Sequence, residues 1–268
     1  MRVALTSPET SGDPPEEHPF LDLSGVSHHY RLGGRVIPVL EQISLTLARE
    51  AFAAIIGPSG SGKSTLLGLI AGLEEPASGR ITLDGSARRL GRVGYMPQRD
   101  LLHPWRSAID NATVALEVRG LSKAEARREA APLFEAFGLA GFEKAHPHEL
   151  SGGMRQRVAL ARTVLASGEL ILLDEPFGAL DALTRASMQD WLTRTWPGLH
   201  RAGLLVTHDV EEALLLADEV YVLSPRPGRI IARLRPNFPT PRSRAVLAEP
   251  RFGELKVELL RALGLATE

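Results

Sequence analysis

The residues that point most directly to chemistry form one glycine-rich run, and the list that follows includes the threonine after it: Gly57, Pro58, Ser59, Gly60, Ser61, Gly62, Lys63, Ser64 and Thr65. The run fits a phosphate-binding loop, because it lies between an apolar segment, 52–56, and a helical pattern, 63–71. Glycines let backbone N–H groups converge on phosphate oxygens, and the helix N-terminus adds partial positive charge. We expect Lys63 to reach the outer phosphates of a nucleotide and the Ser64 hydroxyl to bind Mg²⁺.

Two adjacent acids supply a second element of chemistry. Asp174 and Glu175 follow four apolar residues, 170–173, which predict a buried strand. Ligands of α/β sheets bind beyond the carboxyl ends of the strands, so both carboxylates should lie beside the phosphate-binding loop. Successive side chains of a strand diverge, which predicts that Asp174 holds Mg²⁺ while Glu175 orients an attacking water.

A third motif lies between these two in the chain. Ser151, Gly152 and Gly153 precede a helical pattern at 154–166. Small residues at a helix N-terminus leave backbone N–H groups free to bind an anion, so this turn predicts a second anion-binding surface.

The elements that must position these motifs change character along the chain. Short β-rich runs at 21–26, 43–47, 52–56 and 80–83 are separated by turn signals such as Gly33-Gly34 and Asp84-Gly85. From residue 154 onward helices alternate with apolar strands, with strands at 170–173, 204–206 and 220–223 and helices at 154–166, 181–196 and 210–216. This alternation predicts a parallel sheet covered on both faces.

A helical insertion, about 99–152, separates the two β-containing parts. Ser122 and Glu125 form a capping box before a helix at 127–137, which Pro132 should kink or divide. We expect a flexible cytoplasmic leader at 1–19, a main domain at 20–224 and a C-terminal extension at 225–268 that ends in a helix near 250–263.

Composition narrows the function further. The 268 residues carry a net charge of -1, so the chain as a whole offers no electrostatic footprint for duplex nucleic acid. The absence of cysteine excludes disulfides, thiolate metal sites and cysteine nucleophiles. The longest uncharged stretch, 51–62, is too short to cross a bilayer. Residues 225–268 contain nine basic and four acidic side chains, which favour a solvated face or contact with anionic headgroups or an acidic partner.

The three motifs together resemble those of the ATP-binding cassette (ABC) ATPases over roughly residues 20–224, with Ser151 to Gly153 as the family's signature. The resemblance implies an α/β fold with a P-loop NTPase core built on a parallel sheet, an N-terminal antiparallel β subdomain and an inserted helical subdomain. It also identifies Gln98 with the Q-loop, which binds the metal and contributes to catalysis, Asp181 with the D-loop and His208 with the switch histidine. Tyr30 lies where the family stacks an aromatic ring on adenine.

The resemblance implies ATP and Mg²⁺ as ligands and a head-to-tail pair of chains, each nucleotide lying between one chain's P-loop and the other chain's signature. A physical argument agrees, because two anion-binding loops on different helices of one compact domain cannot both engage one γ-phosphate. Hydrolysis would then use Glu175 to position water, while Lys63 and His208 neutralise the charge developing on the transferred phosphoryl group.

Within the family, the sequences of Pro104-Trp105, 174–181 and 223–230 are similar to those of the import ATPases for nitrate, aliphatic sulfonates, taurine and pyrimidine-type vitamin precursors. This implies a peripheral subunit on the cytoplasmic face of the membrane, bound to a permease and indirectly served by a solute-binding protein. Leu102 and Trp105 are candidate apolar anchors for the permease; the alternative is that Trp105 packs inside the helical insertion. A soluble ABC ATPase acting on DNA, ribosomes or iron–sulfur assembly, and a small-metabolite kinase, are the competing functions.

Overall fold

The structure is a computed structural model that describes residues 19–166, 168–239 and 242–265. The expected leader at 1–19 lies outside the described residues except for Pro19. The strands are β1 (Leu21–Leu32), β2 (Arg35–Leu47), β3 (Phe52–Ile56), β4 (Ser78–Leu83), β5 (Val93–Met96), β6 (Leu170–Asp174), β7 (Ala202–Thr207), β8 (Glu219–Leu223) and β9 (Ile230–Leu234). The α-helices are α1 (Lys63–Ala71), α2 (Ala108–Ala112), α3 (Val114–Val118), α4 (Lys123–Ala136), α5 (Gly152–Ala166), α6 (Ala182–Thr195), α7 (Val210–Leu216) and α8 (Pro250–Ala262).

The strands form two sheets. A six-stranded sheet has the order β5-β6-β7-β3-β8-β9, in which the first five strands are parallel and β9 runs antiparallel to β8. A three-stranded antiparallel sheet has the order β2-β1-β4. The predicted parallel sheet and N-terminal antiparallel strands are therefore confirmed, whereas β9 belongs to a segment that was expected to lie outside the core.

Two hydrophobic layers cover the parallel sheet because alternate residues of its strands point to opposite faces. On one face Ala54, Ile56, Ile171 and Leu173 pack with apolar residues of α5, α6, α7 and α8. On the other face Ala53, Ile55, Leu170 and Leu172 pack with α1 and the antiparallel sheet. Every residue of β3, β6 and β7 is buried, as expected for strands covered on both sides.

The helical insertion contains α2, α3 and α4 and packs against α5. The predicted capping box at α4 is confirmed, since Ser122 Oγ accepts from the Glu125 backbone N–H and the Glu125 carboxylate accepts from Ser122 N–H. The expected division of this helix is wrong, because α4 runs through Pro132 as a single element. Ala126, Ala130 and Phe134 are all buried along α4, and we attribute its continuity to this packing.

The C-terminal extension is tied to the core by ion pairs. Arg233 and Arg235 pair with Glu219, while Arg242 lies 3.1 Å from Asp218. The remaining pairs to earlier parts of the chain are Arg229 with Glu41 and Lys256 with Glu211. Many of the basic side chains beyond residue 225 therefore have internal partners, which leaves less charge for an anionic surface than the sequence alone indicated.

No helix within the three described segments is long and apolar enough to cross a lipid bilayer.

Candidate active site

The glycine-rich loop connects the buried strand β3 to helix α1. The loop ends at Gly62, which has a left-handed backbone with φ of 99°. A Cβ at this position would lie 2.8 Å from Leu40 Cδ2 on β2, so both backbone conformation and space require glycine. The predicted helix start at Lys63 is confirmed, and the helix N-terminus faces a cleft of about 390 Å³.

The cleft collects side chains from several distant parts of the chain. Its lining residues are Tyr30, Val39, Ser59, Gly60, Gly62, Lys63, Ser64, Thr65, Gln98, Glu175 and Arg226. Half of the predicted site residues thus share one surface, and Val39 and Arg226 are additions that sequence reasoning did not identify.

Lys63 places a buried cation at the loop. Its Nζ donates to the carbonyl oxygens of Gly57 and Pro58, both at 2.9 Å. Burial lowers the pKa of Lys63, and the nearby carboxylates of Glu175 and Asp174 partly oppose that shift. The amine is therefore fixed at the loop and close to two acids.

Asp174 ends β6 and accepts hydrogen bonds on both of its oxygens. Ser64 Oγ donates to Oδ1 and Tyr95 Oη donates to Oδ2, each at 3.1 Å. Burial raises the pKa of Asp174, while these two hydrogen bonds act in the opposite direction. A hydroxyl and a carboxylate held this close are hard oxygen ligands of the kind that Mg²⁺ prefers, so the donor set fits that ion.

Glu175 differs from the expectation in its backbone. β6 ends at Asp174, and Glu175 has a left-handed conformation with φ of 45°, so the two acids diverge through a turn rather than through the pleat of a strand. Such a conformation is strained for a residue with a side chain and is held by the Glu175 N–H bond to Val206 O at 2.8 Å. Gln98 Nε2 donates to Glu175 Oε2 at 3.0 Å, and His208 Nδ1 lies 3.4 Å from Oε1.

Tyr30 lies on β1 beside the start of α1. Its hydroxyl donates to Glu74 Oε1 at 3.2 Å and lies 3.4 Å from Thr65 Oγ1. Its ring packs nearly perpendicular to the imidazole of His28, with centroids 5.0 Å apart. The side chain is 39% exposed, so ring surface remains available next to the phosphate-binding loop.

The signature turn, which we define as Ser151 to Gly153, lies at the N-terminus of α5 as predicted. Ser151 is exposed, and its Oγ accepts from the Met154 N–H at 3.2 Å. A Cβ at Gly153 would lie 3.1 Å from Thr184 Cγ2 of α6, so the turn packs closely on that helix. Asp181 caps the same helix by accepting from the N–H groups of Leu183 and Thr184. None of these residues lines the P-loop cleft of the chain.

Trp105 is on the surface of the helical insertion. It is 74% exposed and stacks on His103, with ring centroids 5.2 Å apart. Leu102 is partly buried and packs against the hydrophobic core. The alternative in which Trp105 packs inside the helical insertion is therefore wrong, because its side chain is exposed.

The comparison with known proteins decides the family. Residues 40–178 match the ABC transporter family. The chain belongs to this family. A relative described as a taurine import ATP-binding protein, TauB of Rhizobium johnstonii, is 43% identical over 242 residues, which cover 88% of this chain and 92% of that protein. The formylaminopyrimidine import ATP-binding protein ThiZ of Halalkalibacterium halodurans is 48% identical over 190 residues, covering 71% of this chain and 75% of that protein.

A solved structure of another ABC cassette is similar in fold. The dimeric structure of the cassette MJ0796 in a post-hydrolysis state, bound to ADP and Pi, has a TM-score of 0.70 and 27% identity, and it covers 81% of this chain and 99% of that one. The resemblance to the ABC ATPases and the predicted fold class are therefore confirmed. This ABC transporter chain is an ATP-binding subunit and an ATPase whose hydrolysis is coupled to transport.

Proposed function

We propose that this ATPase drives an importer of small solutes and works as a head-to-tail dimer that encloses two molecules of ATP and Mg²⁺. The observation that carries the proposal is the shared cleft, in which Lys63, the Ser64–Asp174 pair and Glu175 meet at the N-terminus of α1. Cation, metal ligands and acid are the parts that phosphoryl transfer to water requires.

In this proposal the triphosphate binds along the loop from Gly57 to Ser64, with Thr65 beside it and adenine on the ring of Tyr30. Ser64, Asp174 and Gln98 would together hold Mg²⁺. When bound, this ion neutralises negative charge on the phosphate oxygens. Tyr95 orients the Asp174 carboxylate by donating to its second oxygen. Lys63 adds the positive charge nearest to the outer phosphates.

Glu175 positions the attacking water and accepts its proton as the bond to phosphorus forms. The amide of Gln98 and the imidazole of His208 lie on the two oxygens of Glu175 and hold the carboxylate in one orientation. We also assign to His208, which lies 3.4 Å from Glu175, the stabilisation of the negative charge that develops on the transferred phosphoryl group. The result is ADP and phosphate.

The signature turn supports the dimer. Its first residue, Ser151, is exposed, the turn lies outside the P-loop cleft of its own chain, and the N-terminus of α5 is left for an anion of a second chain. Leu183, next to the cap of α6, is 84% exposed and would offer an apolar contact to a partner chain. We therefore assign Ser151, Gly152, Gly153 and Asp181 to the nucleotide of the partner chain.

The names of the similar proteins support an importer for a small organic solute of the taurine or formylaminopyrimidine kind. The chain would then bind a permease at the cytoplasmic face of the membrane, and a solute-binding protein would deliver the solute to that permease. The exposed ring of Trp105 supports a docking contact on the helical insertion.

A mixing experiment tests the head-to-tail dimer. Lys63→Ala disables the P-loop and Ser151→Arg blocks the signature turn, so each purified variant alone should hydrolyse ATP at background. An equal mixture contains mixed dimers with one intact site and should recover about a quarter of wild-type phosphate release. The matched control mixes Lys63→Ala with the double variant, which offers no intact site. Equal, background rates in both mixtures would contradict the shared site.

The transport assignment is tested on the full complex. The tagged chain is purified from detergent-solubilised membranes, and the membrane protein that accompanies it is reconstituted with its solute-binding protein. ATP-dependent uptake of taurine or formylaminopyrimidine is the expected result. Recovery of the chain with ribosomes, DNA or an iron–sulfur assembly protein instead would contradict the proposal.

A further inference from the structure

We propose that Arg226 is a nucleotide-binding residue whose guanidinium donates hydrogen bonds to the phosphate nearest the ribose of bound ATP. The inference rests on the proposed ATP site and adds to it a cation from a distant part of the chain. Arg226 lies in the turn between β8 and β9, yet it lines the same cleft as the phosphate-binding loop.

The turn that carries Arg226 is fixed against the cleft by backbone contacts. Gly228 N–H donates to Val39 O at 2.8 Å, and Glu41 N–H donates to Gly228 O at 2.9 Å, so the turn pairs with β2. A Cβ at Gly228 would collide with the Ser61 carbonyl oxygen of the phosphate-binding loop. Arg226 is therefore attached to a segment that packs directly on the loop.

The side chain of Arg226 is oriented but not neutralised. Its Nε donates to Pro38 O at 2.9 Å. Among the described residues this is its one side-chain hydrogen bond, and no carboxylate there forms an ion pair with it. Arg229 of the same turn differs, because it pairs with Glu41 at 2.7 Å. The terminal amines of Arg226 thus remain available to an acceptor in the cleft.

The charges of the cleft favour an anionic acceptor for Arg226. Lys63 is the other cation and Glu175 the one carboxylate among the described residues that line this surface. Lys63 is held at the loop, where the outer phosphates bind. A triphosphate carries more negative charge than one lysine neutralises, and a guanidinium forms strong paired hydrogen bonds with phosphate oxygens.

The position of Arg226 in the cleft indicates which phosphate group of the nucleotide it contacts. Its partner Pro38 is paired in the antiparallel sheet with His29, the neighbour of Tyr30. Arg226 therefore approaches the cleft from the side of the adenine-stacking ring, whereas Gln98 and Glu175 define the end where the γ-phosphate reacts. The phosphate group nearest the adenine side is the one joined to the ribose, so we assign that phosphate to Arg226.

The experiment compares nucleotide affinities of the full chain and three variants by titration. Arg226→Ala should weaken ATP and ADP binding by the same factor, about 5- to 30-fold, because both carry the phosphate nearest the ribose. Arg226→Lys should recover part of this loss. Steady-state kinetics should show a higher KM at nearly unchanged kcat, as expected for a contact made equally before and during reaction. The matched control, Arg229→Ala, should bind both nucleotides within about twofold of wild type.

Two results would overturn the inference while leaving the ATPase intact. Arg226→Ala that binds both nucleotides within about twofold of wild type would show that the phosphate does not use this side chain. Equal affinity losses in Arg226→Ala and Arg229→Ala, with equal decreases in Tm, would assign the effect to packing of the turn. A wild-type chain that does not bind ATP would instead overturn the proposed function itself, which separates the two failures.

Discussion

Two helix N-termini of this chain have glycine-rich turns, but their surroundings differ. The loop before α1 is surrounded by Tyr30, Gln98, Glu175 and Arg226, which come from four separate parts of the sequence. In the signature turn, Ser151 caps its own helix, α5. None of the charged residues that line the P-loop cleft lies in this turn. A helix N-terminus therefore provides a place for an anion, while neighbouring elements decide whether chemistry follows.

The two turns also use glycine for different reasons. Gly62 needs a left-handed backbone and has β2 against it, so the loop before α1 is shaped by conformation and space together. Gly153 has α6 against it at an ordinary backbone, so the signature turn needs glycine for close helix packing. The loop before α1 has its lysine and both acids within one chain, whereas the signature turn has only Ser151 exposed at the surface.

Replacing Glu175, the acid beside the phosphate-binding loop, should have the largest effect on ATP hydrolysis. We expect Glu175→Gln to reduce kcat by at least about 100-fold, because the amide cannot accept the proton of the attacking water. ATP affinity should change little, since Lys63 and the loop remain. The intact signature turns should then hold an ATP-bound dimer that accumulates, measured by size-exclusion chromatography with ATP and Mg²⁺. Near-normal phosphate release would contradict the role of Glu175.

A smaller effect should come from the base-binding side of the same cleft. Tyr30→Ala should weaken ATP binding about tenfold through the loss of ring stacking, measured by fluorescence titration. Tyr30→Phe keeps the ring and loses only the hydroxyl contacts to Glu74 and Thr65, so its affinity should stay within about threefold of wild type. If both substitutions weakened binding equally, the hydroxyl contacts rather than the ring would explain the role of Tyr30.

The smallest expected effect concerns the free energy of unfolding and comes from Glu212, a buried acid outside both turns. Glu212 of α7 is buried, and its carboxylate accepts from Thr207 Oγ1 at 2.9 Å. Burial raises the pKa of Glu212 from its usual 4.5 to about 8. Between these values the folded chain holds a proton that the unfolded chain releases, so the free energy of unfolding should fall as pH rises, by at most about 1.4 kcal/mol per pH unit.

The measurement is urea unfolding of wild type and Glu212→Gln between pH about 5 and about 9.5. The glutamine variant cannot ionise, so its stability relative to wild type should increase with pH and level off above about 8. The control is Glu211→Gln, whose side chain is exposed and pairs with Lys256, and its difference from wild type should stay constant. A constant difference for Glu212→Gln would contradict the raised pKa.

Much of the fold followed from local patterns. Continuous apolar runs predicted β3, β6 and β7, since strands buried on both faces leave no polar positions. The capping box at Ser122 predicted the start of α4 because its two hydrogen bonds are local. The expected division at Pro132 was wrong, since the packing of a helix face outweighs the loss of one backbone donor, whereas the expected kink stays a prediction. β9 was missed because its pairing with β8 is a tertiary contact.

In the candidate site, too, local motifs were predicted and tertiary contacts were missed. The glycine-rich loop and the two acids could be identified from the sequence because each motif consists of residues that are adjacent in the chain. Tyr95 was missed as a partner of Asp174, although it stands three residues before Gln98, because the adjacency of β5 and β6 creates the contact. Arg226 was missed for a similar reason, since its turn reaches the cleft by pairing with β2.

The amino-acid sequence by itself determined where the glycine-rich loop, the acid that ends β6 and the signature turn lie, and it predicted phosphate, metal, water and anion binding for them. Short-range rules of backbone conformation and side-chain chemistry are sufficient for those features. Only the tertiary structure decided that Glu175 turns out of its strand, that Trp105 is exposed and that Arg226 enters the cleft. These depend on which distant elements pack together, and local spacing does not contain that information.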